Sequence, residues 1–299
     1  MGVRARNALP PPVAPGHSLI VFGYARPRSL PEALELIAGG GRPLAGGTDL
    51  LVGLRKGKIS ADRVVDLKGI EDLAPAIERV GEAVEISAGT PISDIVAHPV
   101  VRADYPALVA AASAVGSIQI RNRATLVGNI CNASPAADTA PPLLVYGASV
   151  VVFGPGGERT IPLAEFFLGP GRTALAADEL VVRLVLPPSM CSAAFARLTR
   201  RRGVDLATVS VCCGVDSDGT VRFALGAAGP RPLVVEDTTG TLADPAAPEE
   251  ATSSRISEMM EAATPISDVR AGADYRRAML EVLAQKTLAE ARAQAGARS

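Results

Sequence analysis

The chain has 299 residues, enough to bury a large core and to divide into two or three lobes. Its formal net charge is −1, with 30 Lys and Arg against 31 Asp and Glu, which argues against a broad nucleic-acid-binding face. No run of 18 apolar residues occurs, so we expect no transmembrane helix. With His17 and His98 as the only two histidines, a His-based metal site or catalytic triad on this chain alone is almost excluded.

The four cysteines indicate the redox compartment of the protein and limit the metal sites that it could form. Their positions, 131, 191, 212 and 213, fit neither a disulfide framework nor an iron–sulfur cluster. Free thiols in a reducing compartment fit better, so we expect a cytoplasmic protein with no metal site of its own. If the chain is an enzyme, the scarcity of acid–base side chains indicates that a cofactor carries the chemistry.

The first elements follow from capping and periodicity. Residues 1–18 are rich in proline and are expected to form a flexible arm, followed by a strand at 19–24. Ser29 and Glu32 have the capping-box spacing, and apolar residues recur at helical intervals from Leu30 to Ile37. The sequence therefore predicts a helix that ends at three consecutive glycines, residues 39–41.

The remaining elements alternate without a regular repeat. Up to Pro187-Pro188 the sequence predicts strands and helices with one irregular polar stretch: strands at 63–67, 83–88, 149–153 and 180–186, helices at 92–97, 107–115 and 139–146, and the irregular stretch at 118–132. Beyond these prolines it predicts an antiparallel sheet, a loop and two helices: strands at 194–198, 207–213 and 220–225 with an Asp218-Gly219 hairpin turn, the loop at 236–254, and helices at 255–263 and 272–293. The fold class expected from this mixture is α+β.

A glycine pair marks the first candidate site, Ala45-Gly46-Gly47-Thr48-Asp49. Paired glycines let the backbone approach a ligand closely, and successive N–H groups in such a turn bind anions such as a pyrophosphate. The alternative is an ordinary strand-to-helix turn in which Asp49 caps a short helix. The sequence contains neither GxGxxG nor GxxxxGK[ST] at this turn, so Rossmann and P-loop sites are excluded there.

A second candidate segment spans residues 121–138 and carries mostly short polar side chains, Asn, Thr, Ser and Asp. Such groups form hydrogen bonds at low entropic cost and suit a ligand with both hydroxyls and phosphates. The alternative is a buried loop that satisfies its own hydrogen bonds.

Together, residues 45–50 (AGGTDL) and 124–139 (ATLVGNICNASPAADT) resemble the two signature stretches of the FAD-binding medium subunit of molybdenum hydroxylases. That family includes xanthine dehydrogenases, carbon monoxide dehydrogenases and aldehyde oxidoreductases. Residues 265–270 (PISDVR) with Tyr275-Arg276 are similar to the C-terminal lobe of the same subunits. The resemblance runs from about residue 19 to about residue 293.

The resemblance implies a two-lobed FAD-binding domain of the vanillyl-alcohol-oxidase and CO-dehydrogenase-flavoprotein type, followed by a smaller sheet-and-helix domain. The expected boundaries are 1–18 for the arm, 19–187 for the FAD-binding domain with its lobes divided near residue 70, and 188–299 for the C-terminal domain. The implied cofactor on this chain is FAD.

The resemblance also implies site residues, position by position. It implies that the pyrophosphate and ribityl chain are bound by the glycine turn and by the second signature stretch: Leu44, Ala45, Gly46, Gly47, Thr48 and Asp49, and Thr125, Gly128, Asn129 and Ser134. Asp138 would accept hydrogen bonds from ribityl or adenosine-side hydroxyls, and Leu180 or Val181 would lie against the isoalloxazine ring. No residue of the chain is assigned a catalytic role.

Three departures from the family pattern qualify this assignment. Many relatives have two glycines before the Asn, whereas this chain has Val127 before Gly128. Arg197 stands where a Lys near the flavin is common, and the two cations are not equivalent donors. Some relatives carry an inserted iron–sulfur cluster in this subunit, but the cysteines here do not provide one.

The function implied is that of a flavoprotein subunit in a larger complex. Partner subunits would carry two [2Fe–2S] clusters, on a small chain, and molybdopterin with Mo, on a large chain, in a dimer of heterotrimers. Electrons would pass from those clusters to this chain and on to an external acceptor. Two other hypotheses stay open: a self-sufficient FAD oxidoreductase acting on a small substrate, and an assembly subunit without flavin.

Overall fold

The computed structural model describes residues 22–189 and 191–298. The expected arm at 1–18 and the first part of the strand expected at 19–24 lie outside the described residues. Among the helices that are described, none has the length and apolar character needed to cross a membrane.

The first lobe is a small parallel sheet with two helices: β1 (Gly23–Ala25), α1 (Leu30–Ala38), β2 (Arg42–Leu44), α2 (Leu50–Arg55) and β3 (Arg63–Asp66). The strand order is β1-β3-β2, and both pairs are parallel. The predicted helix α1 is confirmed, since Ser29 Oγ accepts a hydrogen bond from the Glu32 N–H at 3.4 Å. Because the three strands run the same way, their carboxyl ends share one edge of the sheet, the edge at which open parallel sheets bind ligands.

The second lobe surrounds an antiparallel sheet with short helices: β4 (Ile77–Val80), β5 (Ala83–Ser87), α3 (Ile92–Ala97), α4 (Pro99–Asp104), α5 (Pro106–Ala114), α6 (Ile118–Arg121), α7 (Leu126–Cys131), α8 (Ala140–Val145), β6 (Ser149–Gly154), β7 (Gly157–Pro162), α9 (Leu163–Phe166), β8 (Phe167–Gly169), β9 (Arg172–Thr173) and β10 (Leu180–Leu186). The sheet order is β4-β5-β10-β6-β7, and β8 and β9 form a separate pair. The largest hydrophobic core of the described chain runs through this lobe and continues into the first lobe and into the C-terminal domain.

The prediction of an irregular stretch at 118–132 was wrong, because the structure forms two short helices there, α6 and α7. Each begins at a capping hydroxyl: Ser117 Oγ accepts from the Ile120 N–H at 3.3 Å, and Thr125 Oγ1 accepts from the Gly128 N–H at 3.0 Å. Helices of one or two turns are too short to show hydrophobic periodicity, so capping was the only local indication of them.

The C-terminal domain contains β11 (Cys191–Leu198), β12 (Val209–Asp216), β13 (Val221–Gly226), β14 (Leu233–Asp237), α10 (Glu249–Met260) and α11 (Ala273–Arg298). Its strands form an antiparallel sheet in chain order, and Gly219 makes the predicted hairpin turn at φ +86°. The loop expected at 236–254 was only partly right. The last residues of β14 occupy its beginning, and α10 starts at its end.

Glycines let the two domains pack closely. Helix α8 lies on β12 and β13, where a Cβ on Gly214 would meet the Val145 side chain at 2.5 Å. A Cβ on Gly226 would meet the Pro141 side chain at 3.1 Å. The Ala227 N–H also donates to the Pro135 carbonyl at 2.7 Å. The residues before α8 are therefore held directly against the C-terminal sheet.

Candidate functional site

The glycine turn, residues 45–49, connects β2 to α2 at the carboxyl edge of the parallel sheet. Its first glycine has no room for a side chain, because a Cβ on Gly46 would lie 2.0 Å from the Arg123 carbonyl oxygen. Gly47 has φ +77°, a conformation that L-residues rarely adopt. The turn therefore requires glycine at both positions, for two different steric reasons.

The backbone N–H groups of this turn are available to a ligand. Within the described part of the chain, no acceptor is recorded for the N–H groups of Gly46, Gly47 or Thr48. Successive unpaired N–H groups form an anion-binding concavity. Asp49 precedes α2, but its side chain makes no capping hydrogen bond, so the interpretation of this segment as a simple capped turn is not supported.

The second candidate segment meets the glycine turn. The close approach of Gly46 to the backbone of Arg123 and Ala124 brings the first lobe against the N-terminus of α7. Thr125 is buried and caps that helix through the Gly128 N–H. The Ile92 N–H donates to the Ala124 carbonyl at 2.8 Å and fixes this segment to the second lobe.

The orientation of Asn129 is set by a residue that sequence reasoning missed. The Thr139 hydroxyl donates to Asn129 Oδ1 at 2.7 Å, and Thr139 is fully buried. Because the carboxamide oxygen is engaged, the Asn129 Nδ2 group remains as the donor. Thr139 lay within the recognised motif, but its partner is ten positions away and only the fold brings them together.

Asp138 and Arg197 join the two domains. Arg197 Nη1 lies 2.5 Å from Asp138 Oδ2, and it also donates to the Asp205 carbonyl at 3.4 Å. Burial raises the pKa of Asp138 to about 6, although the nearby Arg197 guanidinium acts in the opposite direction. The second carboxylate oxygen, Oδ1, is buried and has no hydrogen-bond partner among the described residues. An unpaired buried acceptor is where a ligand hydroxyl would find its partner.

The other predicted positions, Leu44, Ser134, Leu180 and Val181, lie in or near the elements that carry the site. Leu44 is buried at the end of β2, and Ser134 Oγ accepts from the Ala136 N–H at 3.3 Å. Leu180 and Val181 are buried in β10, which packs beside α7. The structure thus gathers the glycine turn, the α7 segment and Asp138 with Arg197, while these two side chains belong to the hydrophobic core.

Sequence reasoning also missed a polar cluster at the same edge of the parallel sheet. Asp66, the last residue of β3, accepts from the Tyr24 hydroxyl at 2.6 Å and from Lys68 Nζ at 2.5 Å. Lys68 Nζ also donates to the Ala45 carbonyl at 3.3 Å. Burial opposes ionisation of Asp66, but the hydrogen bonds from Lys68 and Tyr24 outweigh it and hold the pKa of the carboxyl below its usual value.

The cysteines add no reactive group to the site. All four carry free thiols, and burial raises the pKa of Cys131, on α7, to about 12, so its thiol stays protonated. Within residues 22–189 and 191–298, no group of three or more His, Cys, Asp or Glu side chains is arranged to hold a metal ion.

The donor and acceptor set fits a dinucleotide with a polyhydroxyl chain, as FAD has. The glycine turn offers unpaired N–H groups for phosphates, and Asp138 offers an unpaired buried oxygen for a hydroxyl. A Cβ at either glycine of the turn would contact other protein atoms at less than 3 Å, so both positions require a bare backbone.

Comparisons with known proteins agree with this chemistry. Residues 20–189 match the family described as FAD binding domain in molybdopterin dehydrogenase, and residues 193–291 match the CO dehydrogenase flavoprotein C-terminal domain. The chain is 31% identical over 283 residues to the putative xanthine dehydrogenase FAD-binding subunit of Escherichia coli (strain K12), covering 91% of this chain and 97% of that protein. It is 30% identical to the carbon monoxide dehydrogenase medium chain of Hydrogenophaga pseudoflava, covering 89% and 96%.

The fold is shared with solved structures. The carbon monoxide dehydrogenase from Hydrogenophaga pseudoflava that lacks the Mo-pyranopterin moiety of the molybdenum cofactor contains a chain with a TM-score of 0.85 and 31% identity, covering 91% of this chain and 97% of that one. Quinoline 2-oxidoreductase from Pseudomonas putida 86 gives a TM-score of 0.82 at 26% identity, covering 92% and 98%. These matches confirm the expected α+β fold and the FAD-binding domain. The chain belongs to the family of FAD-binding medium subunits of xanthine dehydrogenases and CO dehydrogenases.

Proposed function

We propose that this chain is the electron-transfer subunit of a heteromeric molybdenum hydroxylase. It receives electrons from [2Fe–2S] clusters on a small partner subunit and passes them to an external acceptor, while a large molybdopterin subunit acts on the substrate. The observation that carries the proposal is the contact of the glycine turn with the segment before α7, where Gly46 leaves no room for a Cβ against the Arg123 carbonyl oxygen and the N–H groups of Gly46, Gly47 and Thr48 have no acceptor among the described residues. The name of the Hydrogenophaga pseudoflava relative, a medium chain, supports membership of a multi-subunit enzyme.

The glycine turn binds the pyrophosphate in this proposal. The N–H groups of Gly46 and Gly47 donate to its oxygens, the Thr48 hydroxyl adds a donor, and Ala45 and Asp49 frame the turn above Leu44. Thr125 and Gly128 form the facing wall at the α7 N-terminus, where the partial positive charge of the helix end favours an anion.

The remaining residues orient the rest of the cofactor. Asn129 donates through Nδ2, Ser134 shapes the turn before Asp138, and Asp138 accepts from a ribityl or adenosine-side hydroxyl. Arg197 places a cation beside the ring system, and Leu180 or Val181 excludes water from one side of it.

When bound, FAD supplies the redox chemistry of the subunit, because a flavin exchanges one or two electrons. No proton-transfer residue on this chain is needed, which agrees with the scarcity of histidine. The residues of the chain bind, orient and shield the group.

The experiment is purification of the chain alone and together with its co-expressed neighbours. We expect the purified chain to show flavin absorbance near about 450 nm, and we expect the complex to contain iron and molybdenum on other chains. A folded chain that takes up no FAD would refute the proposal and leave the flavin-less assembly subunit. A flavin-containing chain that turns over a small substrate without metal-bearing partners would establish the self-sufficient oxidoreductase instead.

A further inference from the structure

Lys68 reaches the glycine turn from the middle strand of the parallel sheet. It lies two residues beyond the end of β3, and its Nζ donates to the carbonyl oxygen of Ala45, the first residue of the turn, at 3.3 Å. The next residues, Gly46 and Gly47, have N–H groups without a recorded acceptor in the described chain. The ammonium group therefore lies beside the first peptide group of the turn, on its carbonyl side.

The position of this ammonium group is fixed by a buried carboxylate. Asp66 is 5% exposed, and its Oδ1 accepts from both Nζ and the backbone N–H of Lys68, at 2.5 Å and 3.1 Å. Its Oδ2 accepts from the Tyr24 hydroxyl, so both oxygens are engaged. An ammonium has three donors, and only two acceptors are recorded for Lys68 Nζ among the described residues. One N–H of a positioned cation is left for a further acceptor.

A cation near the turn would offset the negative charge of Asp49. Asp49 is exposed within the turn, and its carboxylate repels an incoming anion. Backbone N–H groups carry only partial positive charge, whereas an ammonium carries a full charge and serves as a phosphate ligand in other sites. Ala45 and Asp66 lie at the carboxyl edge of the sheet, where ligands of open parallel sheets bind, and the Tyr24 hydroxyl reaches Asp66 from the middle of β1.

We propose that Lys68 is a further FAD-binding residue, donating its free N–H to the pyrophosphate at the glycine turn, with Asp66 and Tyr24 as its positioning residues. This inference rests on the proposed function, since it requires the pyrophosphate to lie at that turn.

The test is FAD titration of the flavin-stripped chain, monitored by flavin fluorescence at low and at high ionic strength. Lys68→Met removes a charged hydrogen-bond donor, so it should weaken FAD binding about 10-fold or more at low salt and less at high salt. Lys68→Arg should keep the affinity within about threefold because it retains a charged donor. The matched control is Lys56→Met, which removes an exposed lysine at the end of α2.

Two further measurements separate a binding role from a structural one. ADP, which carries the pyrophosphate, should lose affinity for Lys68→Met by about the same factor as FAD, whereas riboflavin should not. Lys68→Arg should retain the melting temperature of the apo chain, whereas Lys68→Met removes a partner of the buried Asp66 carboxylate and should lower it, so the comparison between ligands identifies the binding role. Unchanged FAD and ADP affinity in Lys68→Met, or a loss shared equally by riboflavin, overturns the role of Lys68 while wild-type FAD binding still supports the proposed function. Failure of the folded wild-type chain to bind FAD overturns the proposed function itself.

Discussion

Gly46→Ala is the sharpest test of the contact between the two lobes. The added methyl group would lie 2.0 Å from the Arg123 carbonyl oxygen and 2.8 Å from the Ala124 Cα, so both obstacles are backbone atoms. Overpacking of this kind costs about 1–3 kcal/mol, and the reduced freedom of the unfolded chain returns about 0.4–1 kcal/mol. Because both obstacles are backbone atoms, the upper part of that range applies, and about 2–3 kcal/mol less about 0.4–1 kcal/mol leaves a net loss of about 1–2.6 kcal/mol. At about 2–4 °C per kcal/mol, the melting temperature should fall by roughly 2–10 °C.

The assay is thermal unfolding of the apo chain together with FAD titration. We expect Gly46→Ala to lower both the melting temperature and the FAD affinity, because the turn and the α7 segment must move apart. Gly156→Ala is the matched control, since a Cβ there meets nothing within 4 Å and its φ is not in the left-handed region. If Gly46→Ala melts and binds FAD like Gly156→Ala, the proposed apposition of the two segments is wrong.

Two other substitutions probe separate parts of the site. Gly47→Val should reduce FAD occupancy, because the residue is at φ +77° and its Cβ would meet Leu44 Cδ1 at 2.8 Å. Hydrogen exchange in the C-terminal sheet should be unchanged. Retained FAD occupancy would count against the assignment of this turn to the site. Asp138→Asn should flatten the pH dependence of apo-chain stability. The pKa of Asp138 in the native state, about 6, lies above its ordinary value of 3.8, so the native state binds more protons and wild-type stability should fall as pH rises from about 4 to 6. Parallel melting profiles of wild type and Asp138→Asn over that range would contradict this.

The sequence predicted the elements whose cause is local. Helix α1 has a capping residue, a helical apolar pattern and a glycine terminus, and all three lie within 13 consecutive residues, 29–41. Three of the four strands of the C-terminal sheet, β11, β12 and β13, were predicted at nearly their observed positions, since alternation and the Asp218-Gly219 turn are also local, whereas β14 was not predicted. The helices α6 and α7 were missed because one or two turns carry no measurable period, although Ser117 and Thr125 cap them in the ordinary way.

The residues of the candidate site divide in the same way, into those that the local sequence marks and those that only the fold brings together. The glycine turn was identifiable because the steric demands at positions 46 and 47 require glycine, and a glycine pair is visible in the sequence without knowledge of its neighbours in the fold. The ion pair of Asp138 with Arg197 spans 59 positions, and the contact of Lys68 with Ala45 spans 23. Spacings of that length carry no periodicity, so only the folded chain brings those charges together.

In the proposed site the C-terminal domain contributes Arg197. Glycines at positions 214 and 226 let α8 lie on the C-terminal sheet, and this contact holds Asp138 against Arg197 of β11. Without Arg197 the buried carboxylate would lose its only recorded cationic partner in the described chain, and desolvation would favour its protonated form still further. A protonated Asp138 presents a donor as well as an acceptor to a ligand hydroxyl. The ionisation state of Asp138 therefore depends on Arg197, which lies outside the segment that matches the FAD-binding domain, so in the proposed site the packing of the two domains would set the charge beside the cofactor.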